Sequence, residues 1–297
     1  MSGHGLPGDE LDLRDAGVVC DTLRRAAGAL LQHPRRAGSV IHLPGEGRLI
    51  VAGDLHDEPT NFRRVLKLAD LDASGDRCLI LQELIHGEAS FNGLDLSIRV
   101  LTRTAALINR HPERVVLLLA NHDLAQVNGE AITKGGASVI DAFDAGLDAL
   151  FGDEADAVRE AMTELVAAMP LAAKTEAGVM IAHSLPAPRV IDRFDKTVLD
   201  RVPTNDDRRG PDGAAYQMVW GRHHTQKCLD ELAEAWGVEV FALAHQPVEM
   251  GIDTQRDTSV LINSDHAHGV ALEIDLAKRY DAEALCDAAH LLAGVSV

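Results

Sequence analysis

The chain has 297 residues, of which 46% are hydrophobic and 25% charged, a composition typical of a soluble globular protein with a large core. Its formal net charge of −18 argues against general binding to nucleic acids or anionic membranes. An anionic substrate is still compatible with this charge, because bound divalent cations can reverse the local field.

The cysteines and the N-terminus indicate a cellular compartment. The four cysteines are dispersed and form no CxxC pair, which predicts buried free thiols in a reducing environment. Residues 1–10 are Gly-rich and acidic, and no segment reaches the roughly 18 apolar residues that a membrane span needs. We therefore expect a cytoplasmic protein without a membrane partner. We also expect one domain over 1–297, in which 1–46 form an N-terminal helical and hairpin extension.

Strand-like and helical segments alternate through the first half of the chain. Apolar spacing predicts helices at 13–32, 59–71 and 93–110 and strands at 40–43, 48–52, 78–81 and 114–120. The last of these strands is apolar on both faces, as a central buried strand should be. This alternation predicts parallel strands joined by crossover helices.

The second half of the chain is less regular. It begins with helical periodicity over 140–169, broken at Gly152, and continues with a predicted β-hairpin at 171–175 and 179–182. Residues 186–213 lack periodicity and form a predicted long loop, a candidate lid or substrate rim. The remaining predicted elements are a helix at 225–236, strands at 238–243, 258–263 and 269–274, and a helix at 282–292. The chain as a whole is predicted to be an α/β protein.

Five short polar segments each follow a predicted strand. They contribute Asp54 and His56, Glu83, Asn121 and His122, His183, and His245. Taken singly, each residue could be a turn residue, a solvated charge or a hydrogen-bonded core histidine. Five such segments in series favour a shared site. Carboxylate, amide and imidazole groups at the ends of buried strands are the ligands that a two-metal hydrolytic centre requires.

Spacing within the segments suggests different tasks for the side chains. Asp54 and His56 lie two residues apart at a strand end, so both can point to the same side. Glu83 is the natural bridging carboxylate, since its strand should lie beside that of Asp54. His122 follows Asn121 directly and would face the opposite direction, toward a substrate, where it suits a general acid.

These segments resemble the motifs of calcineurin-like metallophosphoesterases, and among them most closely the phosphoprotein (serine/threonine) phosphatase branch. The similar segments are 53–57, 82–87, 120–123, 182–186, 220–222 and 244–251, within a match from about Leu49 to Asp275. The first, third and fifth of the family's metal motifs are specific here, and the second is divergent. The resemblance implies a calcineurin-like fold of layered β-sheets flanked by helices.

The resemblance also implies a reaction. Asp54 and His56 are expected to bind one ion, Asn121, His183 and His245 the other, with Glu83 where the family has its bridging Asp. The two ions would be of the Mn, Fe or Zn type, as mixed nitrogen and oxygen ligation suggests. A hydroxide between the ions would attack phosphorus while His122 protonates the leaving oxygen. The expected substrate is a phosphorylated small molecule or a phosphoprotein.

The second motif departs from the family pattern at three positions. Glu83 is one methylene longer than the family's Asp, and His86 takes the place of the Asp that would orient the catalytic histidine. Gly87 falls where the phosphate-binding Arg would be, which removes a bidentate contact. Arg222 could replace that Arg as a substrate-binding residue, and His86 could also contact the substrate.

Several alternatives remain open from the sequence. A monoester phosphatase is favoured, but a phosphodiesterase, a dinucleoside polyphosphate hydrolase and a metal-binding regulatory module without turnover are also compatible. His266 and His268 follow a late strand and could line the pocket, contact a metal or face solvent. The missing Asp and Arg favour the inactive module, whereas His122, which the metals do not need, favours an enzyme.

Overall fold

The computed structural model describes residues 6–87 and 92–297. The helices within these ranges are α1 (Ala16–Leu31), α2 (Pro59–Ala69), α3 (Ile98–Arg110), α4 (Asn121–Asn128), α5 (Val139–Phe151), α6 (Ala155–Ala168), α7 (Ala214–Trp220), α8 (Gln226–Trp236) and α9 (Ala282–Asp287). The strands are β1 (Arg36–Ala37), β2 (Val40–His42), β3 (Arg48–Asp54), β4 (Arg77–Gln82), β5 (Val115–Leu118), β6 (Thr133–Lys134), β7 (Ala137–Ser138), β8 (Ala172–Lys174), β9 (Val179–Ala182), β10 (Val240–Leu243), β11 (Ile252–Arg256), β12 (Ser259–Ile262), β13 (Val270–Asp275) and β14 (Ala289–Leu291).

Two large sheets organise the described residues. One has the order β14-β13-β3-β4-β5, and its strands β3, β4 and β5 run parallel, as their alternation with helices predicts. The other has the order β1-β2-β8-β9-β10-β12-β11, with β9, β10 and β12 parallel. Strands β8 and β9 form the predicted antiparallel hairpin.

The sheets pack face to face, and helices cover their outer faces. Leu49 and Val51 of β3 lie in the core between the sheets, with Ile181 of β9 from the other sheet. Ile50, on the opposite face of β3, packs in a second core with the helices. This division follows from the alternation of side chains along a strand. The α/β fold with layered sheets and flanking helices is therefore confirmed.

The N-terminal residues belong to the same layers. β2 pairs in parallel with β8, and α1 shares a hydrophobic core with α6, where Arg24 Nε also lies 2.8 Å from Glu164 Oε1 at the surface. Asn109 of α3 donates a hydrogen bond to the carbonyl of Thr22 in α1. Among residues 6–87 and 92–297, no helix is both long enough and apolar enough to cross a membrane.

Some short elements differ from the sequence-based expectation. The predicted helix at 282–292 is wrong beyond Asp287, because residues 289–291 form the edge strand β14 and pair with β13 instead. The predicted loop 186–213 contains two 3-10 helices, at Pro188–Arg193 and Lys196–Asp200. Helices α4 and α7, strands β1 and β11 and the β6–β7 hairpin were not predicted, because elements this short give no clear periodic pattern.

The two sheets meet at the ends of β3 and β12. The Ser264 amide donates to the Asp54 carbonyl at 3.0 Å, and the Gly53 amide donates to the Ser264 hydroxyl at 2.9 Å. A Cβ on Gly53 would lie 2.3 Å from the carbonyl oxygen of Ile262, so this approach requires glycine. The carboxyl ends of the parallel strands of both sheets are thereby brought to one place.

Candidate metal centre

The polar segments predicted from sequence converge where the sheets meet. Asp54 ends β3, Glu83 follows β4, Asn121 begins α4 after β5, His183 follows β9, and His245 lies two residues beyond β10. All five side chains are buried, and His56 keeps only a small exposed surface. All of them except His183 line a cleft of about 530 Å³ that also reaches His122 and Arg222.

Asn121, His183 and His245 form one half of the cluster. The amide oxygen of Asn121 accepts hydrogen bonds from His183 Nε2 at 2.8 Å and from His245 Nδ1 at 2.9 Å. Glu83 Oε2 lies 3.6 Å from His183 Nε2. Glu83, His183 and His245 each offer a ligand atom within 4.8 Å of the others, a spacing that one metal ion could draw together.

Glu83 also belongs to the other half. It forms a second group with His56 and His122, again with ligand atoms within 4.8 Å of one another. His56 Nε2 is 3.6 Å from Glu83 Oε2. Asp54 lies beside the group of His183 and His245, since its Oδ1 is 3.6 Å from His183 Nδ1 and accepts from the His245 amide at 3.3 Å. Glu83 is thus common to both groups.

Burial governs the charge of these side chains. It raises the pKa of Asp54 to about 7, and burial followed by the nearby Asp54 raises the pKa of Glu83 well above its usual range. Burial lowers the pKa of His245 to about 3. Burial and the positive charge of Lys134 lower the pKa of His56 to about 3 as well. Two buried carboxyl groups among neutral imidazoles fit a cation site, because a metal ion can replace the protons that burial favours on the carboxyls.

The backbone at the site adopts unusual conformations. His56, Glu83, His86 and His245 have φ values of 42°, 45°, 63° and 66°. This left-handed region costs a non-glycine residue on the order of 1 kcal/mol. Such conformations persist where the surrounding structure holds them, and here they turn successive strand ends toward one cleft.

His86 lies behind His122 rather than in the cleft. Its ring is fully buried and packs edge-on against Phe143, with 5.6 Å between ring centroids. His86 Nδ1 is 2.8 Å from His122 Nδ1, and His86 Nε2 is 2.8 Å from Gln126 Oε1. Both ring nitrogens therefore have partners within the protein, although the sequence suggested a substrate contact for this residue.

The positively charged residues of the cleft come from two elements. Arg222, predicted from sequence, donates from Nε to His245 Nε2 at 2.9 Å. Lys134 of β6 also lines the cleft, and its ammonium donates to the His86 carbonyl at 3.2 Å. Lys134 was not predicted from the sequence. The only signal beside it is the pair Gly135 and Gly136, which indicates a turn but not a binding residue.

The late histidines occupy different positions. His266 lines the cleft, and its Nε2 bonds the carbonyl of Val248 at 3.0 Å. His268 is exposed and does not line the cleft. Asn263, which the sequence did not single out, also lines it, and its side-chain oxygen accepts a hydrogen bond from the Val248 amide.

Comparison with known proteins finds solved structures of similar fold. No family model and no curated protein matches this sequence. A protein serine/threonine phosphatase from Saccharomyces cerevisiae is structurally similar, with a TM-score of 0.64 and 14% identity over 88% of this chain and 83% of that one. A cold-active protein-tyrosine phosphatase from a psychrophilic Shewanella gives a TM-score of 0.53 and 12% identity over 84% of each chain. At such identities the similarity establishes the fold alone, and that fold is calcineurin-like, as the motifs predicted.

Proposed function

We propose that the protein is a metal-dependent phosphatase that hydrolyses phosphate monoesters. The observation that carries this proposal is the position of Glu83, which belongs to two adjoining groups of potential metal ligands, one of which also contains His122. A carboxylate common to both groups is what two neighbouring ions need. The substrate would be a phosphorylated small molecule or a phosphoprotein, and residues 1–297 would act as one domain.

The proposed ligands follow from the resemblance of the motifs, and the structure brings these side chains to one site. Asp54 and His56 would hold one ion, Asn121, His183 and His245 the other, and Glu83 both. Mixed oxygen and nitrogen donors suit Mn, Fe or Zn. When bound, two such ions polarise a phosphoryl oxygen and activate the attacking water.

His122 is the proposed general acid, and its neighbours define its tautomer. Gln126 Nε2 donates to the Asp144 carboxylate at 3.2 Å, so Gln126 presents its oxygen to His86 Nε2–H. Burial lowers the pKa of His86 to about 4, which keeps its ring neutral, so Nδ1 accepts from His122 Nδ1–H. His122 Nε2 is thereby left for the leaving oxygen.

The same arrangement can accommodate a protonated His122. Burial lowers the pKa of His122, and His56 and His86 lower it further, so its ring is neutral in the free protein. The negative charge of a bound phosphate favours the imidazolium. His122 can keep the hydrogen bond from its Nδ1–H to His86 while it transfers its Nε2 proton to the departing alkoxide. His86 is therefore proposed as a positioning residue for His122.

Metal analysis combined with hydrolysis of p-nitrophenyl phosphate tests the proposal. After reconstitution with Mn²⁺, the wild type should contain two ions per chain and hydrolyse the ester. Glu83→Gln should lose metal and activity together. His122→Ala should keep both ions and lose activity roughly 10²- to 10⁴-fold, the usual contribution of a general acid.

His42→Ala is a matched control, because His42 is exposed on β2, away from the cleft. It should change neither metal content nor rate. Loss of an ion from His122→Ala would mean that His122 is a ligand rather than the acid. Faster hydrolysis of bis-p-nitrophenyl phosphate than of the monoester would favour a phosphodiesterase instead.

A further inference from the structure

The chain lacks a cation at the position where the resemblance places a phosphate-binding Arg. Gly87 occupies it, and a Cβ there would lie 2.5 Å from the carbonyl oxygen of His56 and 2.8 Å from Asp57 Cβ. Contacts this short exclude any side chain unless the loop that carries His56 moves. A phosphate-binding cation must therefore come from another part of the fold.

Lys134 reaches that place from the β6–β7 hairpin. Its ammonium is 3.2 Å from the carbonyl oxygen of His86, the residue that directly precedes Gly87. The hairpin lies between α4 and α5, and its turn residues Gly135 and Gly136 have φ values of 59° and 86°. The side chain thus enters the cleft beside position 87 although the two residues are far apart in sequence.

Lys134 and Arg222 bring two positive charges to the wall of one cleft. Lys134 Nζ is held there by the carbonyl of His86, a neutral group that leaves the charge of the ammonium in place. In a chain of net charge −18, two cations that line the same cleft are a local departure from the overall charge, and they suit an anionic ligand.

We propose that Lys134 binds the substrate phosphate and, with Arg222, replaces the Arg that Gly87 excludes. This inference rests on the proposed phosphatase function. A lysine ammonium has three donors and acts as a compact point charge, and its bond to the His86 carbonyl uses one of them. Two donors remain for phosphoryl oxygens. A monoester dianion, with more terminal oxygens and charge than a diester, is the ligand that gains most from this second cation.

The test compares Lys134→Met, Lys134→Arg and the control Lys67→Met in Mn²⁺-loaded protein. Lys67 is exposed near the end of α2 and away from the cleft. Inorganic phosphate is the binding probe, measured by calorimetry and by the phosphate-dependent rise in melting temperature. Lys134→Met should weaken phosphate binding about 10- to 100-fold, the effect of losing one charge-assisted hydrogen bond. Lys134→Arg should retain most of the affinity, and Lys67→Met all of it.

Hydrolysis separates this inference from the proposed function. Lys134→Met should lower kcat/KM for p-nitrophenyl phosphate much more than for the diester bis-p-nitrophenyl phosphate. Unchanged phosphate affinity in Lys134→Met, in an enzyme that hydrolyses the monoester, overturns the role of Lys134 and leaves the phosphatase intact. Phosphate binding that needs Lys134, in a protein without hydrolysis, supports the site and overturns the activity. A wild type that binds no phosphate overturns the inference itself.

Discussion

The buried carboxyl of Asp54 should destabilise the protein when metal is removed, and the effect should depend on pH. Its pKa in the folded protein is about 7, against an ordinary value of 3.8, and burial is the main cause. Because the folded-state pKa lies above the unfolded one, stability is lost as pH rises from about 4 through about 7. Asp54→Asn removes this ionisation and keeps an oxygen that can accept from the His245 amide.

The size of the effect follows from the pKa difference. A rise of roughly 3 units at 1.36 kcal/mol per unit corresponds to about 4 kcal/mol. In chelator, the free energy of unfolding of Asp54→Asn relative to wild type should therefore increase by about 4 kcal/mol between pH 4 and pH 8. Saturating Mn²⁺ should reverse the order, because a ligand at 1,000 times its Kd stabilises by about 4 kcal/mol and only the wild type keeps the full ligand set.

Urea unfolding followed by circular dichroism, at several pH values with chelator or with Mn²⁺, measures both effects. Asp206→Asn is the control, since Asp206 is exposed and away from the cleft. Its difference from wild type should be small and should not depend on metal. A difference between Asp54→Asn and wild type that is constant across pH in chelator would refute the argument that burial makes this carboxyl costly to ionise. The same order of stability with and without Mn²⁺ would refute its role as a ligand.

Three further substitutions test the support of His122 and the packing of two helices. His86→Ala should lower kcat about 10- to 100-fold, because His122 loses the hydrogen-bond partner of its Nδ1–H. Metal content should stay at the wild-type level. A change in KM alone would contradict a positioning role. Gly146→Ala should destabilise the protein by more than about 2 kcal/mol, because its Cβ would lie 1.8 Å from the Asp95 carbonyl oxygen. Gly28→Ala in α1 should instead be neutral or slightly stabilising by thermal unfolding, because within 6–87 and 92–297 no atom outside the adjoining turns of α1 lies within 4 Å of the added Cβ.

The sequence predicted most of the elements that carry the site, because each combines an apolar run with a clear boundary. Helix α2 is an example, since Pro59 stands at its first turn and Glu58 caps it. Its end is less evident, because Asp70 adopts the left-handed conformation usually given to glycine. Residues 289–291 were assigned to a helix because pairing with β13 is a tertiary contact that local spacing does not reveal.

The candidate ligands were predictable for a similar reason. Parallel strands place their carboxyl ends together, so polar residues that directly follow those strands must meet. No sequence pattern indicates Lys134 or Gln126 as site residues, because their proximity to His86 depends on how α4 and the β6–β7 hairpin pack. Sequence could place the residues at strand ends, whereas the residues that support them required the folded arrangement.

The divergence of the second motif bears on whether the site is active. Loss of its Asp and Arg favoured an inactive module on sequence grounds, and an inactive site would have no need to replace them. Yet each lost group has a counterpart within reach: His86, fixed by Gln126, bonds His122, and Lys134 lies beside Gly87. The counterparts come from separate elements, so one structural accident does not explain both. An orienting partner for His122 and a cation beside position 87 serve turnover and are not needed to bind metal, so their presence supports the proposed enzyme over a metal-binding module.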